Sequence, residues 1–548
     1  MTVEKTKRSG PSGSALVAIG IFLSRIAGLV RDRIFAHYFG NSVFADCYRA
    51  AARIPNYLQN LFGEGVLSAS FIPVYSRLIA QQNEEEAGRT AGAVGAILAL
   101  LTAVLVLLGV LFAPFMTTLF AAGFTGPKRD LTIRLVRILF PGVGVLVMSA
   151  WTLGILNSHR KFLLSYAAPV LWNAAIIASL ISYPEPTHLN SFTVWVTWGN
   201  VVGCVLQFFV QLPTVLQLVP QLRFILDFRS GPVRMVLHSF GPIFMARGVV
   251  QISAWIDSQL ASYLPTGSMS SLTYAQTIYL LPISLFGMSV SAAELPAMSS
   301  SLGSEEEIAA ALRKRLSHGL RQIAYFVVPS AMAFLALGDI VVAAIYQTGR
   351  FTQKDTYFVW GVLAGSTVGL LAGTLGRLYS SAYYALRDTK TPLRFALVRV
   401  TLTLVLGLIF GLKLPWVAQL LGRLLSHVVH HPVWAGVDPR WGVAGLTASA
   451  GIAGWVEFYL LRRRLETRVG KVDFGVNDVS RLWLAAAIAA AVAYGIKHAI
   501  PFVTRAHFHP VISAVVILGP YAAAYFLMTM LLRVPQASTL LRRVGLRR

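Results

Sequence analysis

Charged side chains are concentrated in a part of the chain that is otherwise apolar enough to lie in a membrane. Two helix-length segments between residues 24 and 73 carry eight Arg, Asp and Glu side chains: Arg25, Arg31, Asp32, Arg33, Asp46, Arg49, Arg53 and Glu64. At about 100° per residue, Arg25, Gly28 and Asp32 share one helix face. From Asp46 to Glu64, polar residues recur every three or four positions. Because ionisable groups at membrane depth are costly, this stripe predicts a polar interior and a ligand pathway.

The stripe has one alternative interpretation, and two further features bear on it. The alternative is that the charges only pair with one another or extend to the lipid headgroups. Pro55 lies inside the stripe and is expected to bend its helix. The density of arginine favours an anionic ligand over a cationic drug.

Composition places the whole chain in a membrane. Of its 548 residues, 55% are hydrophobic and only 13% are charged, whereas soluble proteins average about 25% charged residues. Cys47 and Cys204 are too few and too far apart for a disulfide framework or a metal site. His427, His430 and His431 have no neighbouring Cys or acid, and therefore predict a surface helix and no metal site.

The net charge of +24 follows the predicted membrane topology. Basic residues cluster in alternate loops: 5–8, 77–89, 160–161, 223–234, 313–321, 387–394, 462–471 and 533–548. The intervening loops are poorer in Lys and Arg, which is the pattern of the positive-inside rule. We therefore expect both termini in the cytoplasm and no nucleic-acid partner. Attraction to anionic membrane lipids or to pyrophosphate headgroups is a secondary interpretation of the charge.

Apolar periodicity predicts an all-α integral membrane protein with about fourteen transmembrane helices. Their expected ranges are 14–38, 43–76, 90–113, 131–156, 163–183, 192–216, 235–263, 268–300, 319–346, 355–385, 393–412, 441–462, 480–497 and 510–532. The loops between them are too short for a soluble catalytic domain. The longest insertion, Gly411 to Trp441, predicts a short amphipathic helix on the outer surface.

An internal repeat in the sequence predicts two six-helix lobes around a central cavity. Helices one and two, and again seven and eight, pair a polar helix with a proline-interrupted one. The expected divisions are an N-terminal segment (1–13), an N-lobe (14–216), a cytoplasmic linker (217–234), a C-lobe (235–465), a C-terminal helix pair (466–535) and a basic tail (536–548).

Several motifs support a family resemblance across residues 14–465. The first two helices contain SRIAGLVRD, ADCYRAAARIPNYLQNLFGEG and SFIPVYSRL; later come YAQTIYLLPISLFGMSVSAAELPAMS, GRFTQKDT and GRLYSSAYYALRDTKTP. On these motifs the chain resembles the MurJ (MviN) lipid II flippases of the multidrug/oligosaccharidyl-lipid/polysaccharide exporter superfamily. The resemblance implies fourteen helices in two lobes, a C-terminal helix pair forming a groove for a polyprenyl tail, and a bacterial cytoplasmic-membrane location.

The resemblance also implies roles for particular residues. By position, Arg25, Arg31, Asp32, Asp46 and Arg53 match the family's functional charges. Arginine suits a diphosphate because its guanidinium stays charged and grips phosphate oxygens in bidentate fashion, while the acids orient the arginines and limit the net charge. Glu64 is either a further ligand or a structural acid at a hinge.

One position departs from the family. Where the family usually has an arginine shortly after the Tyr-Ala of helix eight, this chain has Gln276 and Thr277. Arg247 in helix seven is the candidate replacement; the alternative is that it lies near a headgroup. Asp257 and Asp388 match acids that the family resemblance connects with a coupling cation, Na⁺ or H⁺, and each is alternatively a helix cap or a salt-bridge partner.

These observations together predict a lipid II flippase that works by alternating access and is not an enzyme. Undecaprenyl-pyrophosphoryl disaccharide-pentapeptide would move from the inner to the outer leaflet for peptidoglycan synthesis. No cofactor is expected, and since no G-x-x-x-x-G-K-[ST] motif occurs, energy would come from an ion gradient, membrane potential or substrate gradient. The cell-wall synthesis machinery is a further candidate partner. The alternatives are a flippase for another polyprenyl-linked oligosaccharide and a membrane-embedded polyprenyl-phosphate glycosyltransferase.

Overall fold

A computed structural model describes residues 13–183, 188–291, 294, 298, 304–386, 388–413, 439–499 and 509–537. Regular structure in these ranges is helical throughout, which confirms the predicted all-α class. The predicted amphipathic helix of the insertion lies outside the described residues apart from the insertion's ends, as do most of the N-terminal segment and most of the basic tail.

The helices follow the predicted order along the chain. They are α1 (Gly13–Phe39), α2 (Val43–Phe62), α3 (Glu64–Ala80), α4 (Glu84–Leu111), α5 (Ala113–Phe120), α6 (Gly126–Ser158), α7 (Phe162–Ile181), α8 (Leu189–Leu218), α9 (Gly231–Ser262), α10 (Ser268–Pro282), α11 (Glu305–Ala336), α12 (Gly338–Tyr346), α13 (Gln353–Thr367), α14 (Leu370–Ala385), α15 (Lys390–Gly407), α16 (Gly442–Val469), α17 (Val476–Ala499) and α18 (Pro510–Leu531). Single π-helical turns extend α10 over Ile283–Met288 and α15 over Leu408–Lys413.

Many of these helices are long and apolar enough to cross a membrane. Within the described ranges nine qualify, or ten if α13 and α14, which meet at 41°, form one bent span. The multi-pass prediction is confirmed, whereas the total of fourteen stays a prediction. Helix α2 falls outside this set because Asp46, Arg49 and Arg53 all lie in any 18-residue window of it. Because it carries these three charges, we expect α2 to face protein or water.

The chain divides into two compact units, Met1–Gln259 and Leu260–Arg548. The division falls inside α9, near its C-terminal end. Residues 219–230, between α8 and α9, are not helical and lie within the predicted linker. The lobe boundaries predicted from the sequence stay a prediction.

In the first unit, α6 is the central element and packs against α2, α4 and α8. The Trp151 side chain of α6 is fully buried, and its Nε1 donates to the Ala91 carbonyl of α4 at 3.0 Å. Outward-facing leucines such as Leu107 and Leu111 are exposed. A membrane helix needs this inverse pattern, because its apolar side chains meet lipid.

A close approach explains how residues 219–230 are held against α4. A Cβ at Gly92 would collide with the backbone of Arg223, so only glycine allows the two segments to touch there. Next to this contact, the Arg89 guanidinium donates to the Asp227 carboxylate at 2.9 Å.

In the second unit, two tyrosines of α18 attach the C-terminal helices to α11. The Tyr521 and Tyr525 hydroxyls each donate at 2.7 Å to backbone carbonyls of α11, those of Pro329 and Tyr325. Helix α17 packs against both α18 and α11. The C-terminal pair is therefore joined to the rest of its unit by directional contacts as well as by apolar surface.

The predicted second span, residues 43–76, is interrupted. Pro55 lies inside α2, but the helix ends at Phe62 and restarts at Glu64. The interruption falls at Gly63, where a Cβ would collide with the Gln59 carbonyl oxygen. The break in the polar helix therefore falls at Gly63, where only glycine fits, and α2 continues without interruption past Pro55.

Candidate functional site

The arginines of α1 and α2 meet at a single carboxylate. Asp32 Oδ1 accepts hydrogen bonds from Arg31 Nη2 and from Arg49 Nη2, each at 3.1 Å, and from Arg31 Nε at 3.3 Å. The Asp32 side chain is 5% exposed, Arg49 9% and Arg31 19%. Asp32 therefore holds two cations together inside the first unit, and Arg31 is the more accessible of the two.

Aromatic rings orient these guanidinium groups. The Arg31 guanidinium carbon lies 5.2 Å from the ring centroid of Trp172, and that of Arg49 lies 4.3 Å from Phe35. Rings that face a cation hold it by electrostatic attraction and leave the edges of the guanidinium available as donors. The sequence pattern gave no reason to expect Trp172, which comes from α7.

The charged cluster lines a cavity of about 100 Å³. Polar groups opposite the arginines form a chain of hydrogen bonds: Trp172 Nε1 donates to Asn200 Oδ1 at 2.8 Å, and Asn200 Nδ2 donates to the Tyr48 hydroxyl at 3.0 Å. Asn56, a member of the predicted stripe, also lines this space. We call it the arginine cavity, defined by Arg31, Asp32, Arg49 and Trp172. Its chemistry suits a small anionic group.

Asp46 belongs to a separate ion pair. Its carboxylate accepts from Lys128 Nζ at 2.9 Å, and the Asp46 side chain is only 1% exposed. The same ammonium lies 4.0 Å from the ring centroid of Phe124. Lys128 precedes the predicted fourth span, and the sequence gave no reason to pair it with Asp46.

Arg53, one turn beyond Arg49, contacts the end of α9. Its Nη1 donates to the Ser258 hydroxyl at 2.6 Å. The Asp257 carboxylate is close enough to act electrostatically on the Arg53 guanidinium. The structure therefore brings together a residue predicted to bind substrate and one predicted to couple a cation.

Three other predicted site residues are placed as follows. Arg25 is exposed and forms no ion pair within the described residues. The side chains of Glu64 and Arg247 lie outside the described part of the chain, although their backbones belong to α3 and α9. The Thr277 hydroxyl, at the position where the family arginine was expected, donates to the Thr273 carbonyl of its own helix at 3.1 Å.

Asp388 lies in the loop between α14 and α15. Its carboxylate accepts from the Thr391 backbone N–H at 3.0 Å, from the Thr391 hydroxyl at 2.7 Å and from Arg468 Nη1 at 2.8 Å. Burial raises the pKa of Asp388, but these hydrogen bonds and the Arg468 charge outweigh it, and the net pKa is lowered from its ordinary value. These contacts are those of a helix-capping acid.

A second ionic cluster lies in the other unit. Arg399 Nη1 donates to Glu457 Oε2 at 3.0 Å, and Arg377 is close enough to interact electrostatically with both. The only sequence signal was the presence of single charges at 377, 399 and 457 within apolar helices. Elsewhere in the described ranges, no group of three His, Cys, Asp or Glu side chains is placed to hold a metal ion.

These features define a multi-pass helical membrane protein with charged groups enclosed in its interior, the arrangement expected of a carrier of ionic substrates. The family model described as "Lipid II flippase MurJ" matches residues 35–514, and the chain belongs to that family. The predicted family and the predicted class, a transporter that is not an enzyme, are confirmed.

Individual relatives agree with this assignment. The chain is 30% identical over 497 residues to the lipid II flippase MurJ of Burkholderia cenocepacia, covering 88% of this chain and 89% of that protein. The solved structure of a lipid II flippase MurJ in an inward closed conformation superposes with a TM-score of 0.74 at 26% identity, over 94% of this chain and 99% of the other. An inward-facing multidrug resistance MATE transporter, 16% identical, shares the fold with a TM-score of 0.60, over 84% and 99% of the two chains.

The role of Asp32 as a shared counter-ion generates a stability prediction. Asp32→Asn would leave two arginines without their common carboxylate, and breaking a buried ion pair typically costs about 3–5 kcal/mol. We expect a clear fall in the melting temperature of the detergent-purified protein. The matched control is Asp473→Asn, which removes a carboxylate whose side chain is 72% exposed and should change stability by less than about 1 kcal/mol. Equal melting temperatures for the two variants would contradict the proposed function of Asp32.

Proposed function

We propose that this protein carries lipid II across the bacterial cytoplasmic membrane, from the inner to the outer leaflet, by alternating access. Family membership supports the reaction, and the single structural observation that supports the mechanism is the arginine cavity. The guanidinium groups of Arg31 and Arg49 converge there on the Asp32 carboxylate, inside helices that are otherwise apolar enough to lie in a membrane. No covalent bond of the substrate changes.

In this proposal the diphosphate of lipid II competes with Asp32 for the arginines. Guanidinium groups bind phosphate oxygens in bidentate fashion, as they bind carboxylates. When the diphosphate is absent, Asp32 occupies the donors of Arg31 and Arg49, which keeps the cavity neutral enough to persist at membrane depth. When the diphosphate leaves on the other side, Asp32 recovers the same donors, which favours release.

The size of the arginine cavity limits what it can hold. About 100 Å³ accommodates a small charged group and is far too small for a disaccharide with a peptide stem. The sugar and peptide would therefore lie outside it. The arginines would recognise the diphosphate, a group that other polyprenyl-linked oligosaccharides share, so the choice of glycan would depend on other contacts.

Arg53 and Asp257 form the second part of the proposal. The Asp257 carboxylate acts on Arg53, which follows Arg49 by one turn on α2. A cation bound at Asp257, Na⁺ or H⁺, would weaken the electrostatic attraction between Asp257 and Arg53. Arg53 would then become available to the substrate. Asp388 is the weaker candidate for coupling because its oxygens already accept three hydrogen bonds at a helix start.

Further elements of the proposal follow from charge and order along the chain. Both termini lie in the cytoplasm, as the basic loops indicate, and reporter fusions at each end test this orientation. Helices α17 and α18 hold the polyprenyl tail, and membrane lipids surround the remaining apolar faces. The cell-wall synthesis machinery is a candidate partner, testable by co-purification from cross-linked cells.

A growth experiment tests the role of Arg31. In cells depleted of their own lipid II flippase, Arg31→Ala should fail to restore growth, since losing charge-assisted hydrogen bonds worth about 1.5–3 kcal/mol weakens binding roughly 10- to 100-fold. The control is Arg234→Ala, which removes an exposed arginine near the start of α9. If Arg31→Ala supports growth at wild-type protein level, Arg31 does not bind the headgroup.

The two acids assigned to coupling can be separated by cation dependence. Asp257→Asn should reduce lipid II transport in reconstituted vesicles by at least about tenfold, the effect of losing roughly 1.4 kcal/mol, and should abolish any stimulation by a Na⁺ or H⁺ gradient. Asp388→Asn keeps an acceptor for Thr391 and should retain gradient stimulation. The assignment is wrong if Asp388→Asn, and not Asp257→Asn, removes the gradient effect.

A further inference from the structure

A single arginine, Arg377, lies near the middle of α14, in the bent candidate span that α14 forms with α13. It is about 12 Å along the helix axis from Ala385, the last residue of α14, taking 1.5 Å per residue. Its side chain is exposed and forms no hydrogen bond or ion pair within the described residues. Because an unpaired guanidinium at membrane depth is costly, this position needs water or an anionic ligand.

The charged side chains around Arg377 leave an excess of positive charge. Those that act on it electrostatically are Arg399 of α15 and Glu457 of α16. Arg399 Nη1 donates to Glu457 Oε2 at 3.0 Å, and the two side chains are 32% and 15% exposed. The acid is therefore bound to Arg399 and not to Arg377. With two cations and one acid, the cluster keeps a net positive charge that can attract an anion.

The helix face that carries Arg377 is polar or nearly bare. Gly373 lies four positions before it, and Ser380, Ser381 and Tyr384 lie three, four and seven positions after it, which places them on one side of α14. The large apolar residues of α14 are instead buried. A face that met lipid tails would carry the apolar side chains, so this face meets water or a ligand.

Open space lies beside the charged groups. Among the described residues, a Cβ at Gly376, next to Arg377 in the chain, would contact no other side chain or neighbouring helix within 4 Å. The same holds at Gly454, three residues before Glu457 on α16. The missing side chains of these glycines therefore leave room for a small group on both helices.

Tyr279 of α10 brings a hydroxyl group to the same place. Its oxygen would lie 3.7 Å from a Cβ at Gly373, one turn before Arg377, and the side chain is close enough to act electrostatically on the guanidinium. The half-buried Tyr279 forms no hydrogen bond within the described part of the chain, so its O–H is available as a donor. An oxyanion such as a phosphate or a carboxylate supplies the acceptors that a guanidinium and a phenol hydroxyl require.

We propose that Arg377 and Tyr279 bind an oxyanion of the transported lipid, either its diphosphate or a carboxylate of its stem peptide. The inference rests on the proposed function and adds a second binding site for the same substrate. The guanidinium binds two oxygens in bidentate fashion, and the Tyr279 hydroxyl donates to one of them. Arg399 adds positive charge and is held in place by Glu457. In the arginine cavity the ligand must displace Asp32, whereas at Arg377 no ion-pair partner within the described residues has to be displaced.

Protection from chemical modification tests the proposal on the full chain in detergent. Phenylglyoxal reacts with accessible guanidinium groups, and mass spectrometry reports the rate of modification of each arginine. With lipid II at about ten times its dissociation constant, modification of Arg377 should slow roughly tenfold. Arg463, an exposed arginine of α16 outside the cluster, is the control and should react at an unchanged rate.

Two partial ligands identify the source of the oxyanion. Undecaprenyl diphosphate carries the diphosphate without the peptide, and the soluble disaccharide-pentapeptide carries the carboxylates without the diphosphate. The one that protects Arg377 supplies the bound group. If the immobilised protein retains lipid II while Arg377 reacts as fast as in its absence, this proposal is overturned and the proposed function stands. If lipid II is not retained and Arg377 is not protected, both are contradicted.

Substitutions separate binding from a structural role. Arg377→Gln should weaken lipid II binding about tenfold and leave the melting temperature unchanged, because the guanidinium makes no hydrogen bond within the described residues. Arg377→Lys keeps the charge without the bidentate geometry and should bind with intermediate affinity. Arg399→Gln should lower the melting temperature because it leaves Glu457 unpaired, and Arg463→Gln should change neither quantity. A lower melting temperature with unchanged affinity in Arg377→Gln would show that Arg377 only stabilises the fold.

Discussion

Moving a charged group out of water into a bilayer is so costly that the structure must pair or enclose each one. The Asp32 carboxylate does this for Arg31 and Arg49 together, through hydrogen bonds of 3.1–3.3 Å. Without it, two adjacent cations would repel each other in a space of low dielectric constant. The same arrangement leaves the arginines ready to exchange one anionic partner for another, which is the property a diphosphate carrier needs.

Ion pairs meet the same constraint at several other places along the apolar helices. Asp46 is paired with Lys128, Arg399 with Glu457, and Lys497 with Asp339, each across two elements of the chain. Each pair fixes one helix to another as well as neutralising charge. Structural stability and the proposed recognition of substrate therefore depend on the same kind of contact. They differ in whether the pair borders a space that a ligand can enter, as the Asp32 cluster does.

The sequence predicted the helical class, the polar stripe and the family because these depend on local composition and spacing. Arg49 lies in that stripe, three residues after Asp46, but it was not among the residues predicted to bind substrate. Lys128 and Trp172 could not be predicted, because they reach the site from α6 and α7, and one sequence does not reveal which helices pack together. The break at Gly63 was also missed, since it depends on contact with the Gln59 carbonyl. The hydrogen bonds of Asp388 likewise show that it caps a helix, which was one of the alternatives that the sequence left open.

The most direct test of the central claim is a lipid II accessibility measurement in intact cells. Cells depleted of their own flippase and expressing this protein would be treated with an external enzyme that cleaves only lipid II headgroups in the outer leaflet. We predict that cleavage is restored by the wild-type chain and by Arg234→Ala, and is lost with Arg31→Ala at equal protein level. Absence of cleavage with correctly inserted wild-type protein would contradict lipid II transport and favour another polyprenyl-linked glycan. Full cleavage with Arg31→Ala would contradict the role of the arginine cavity.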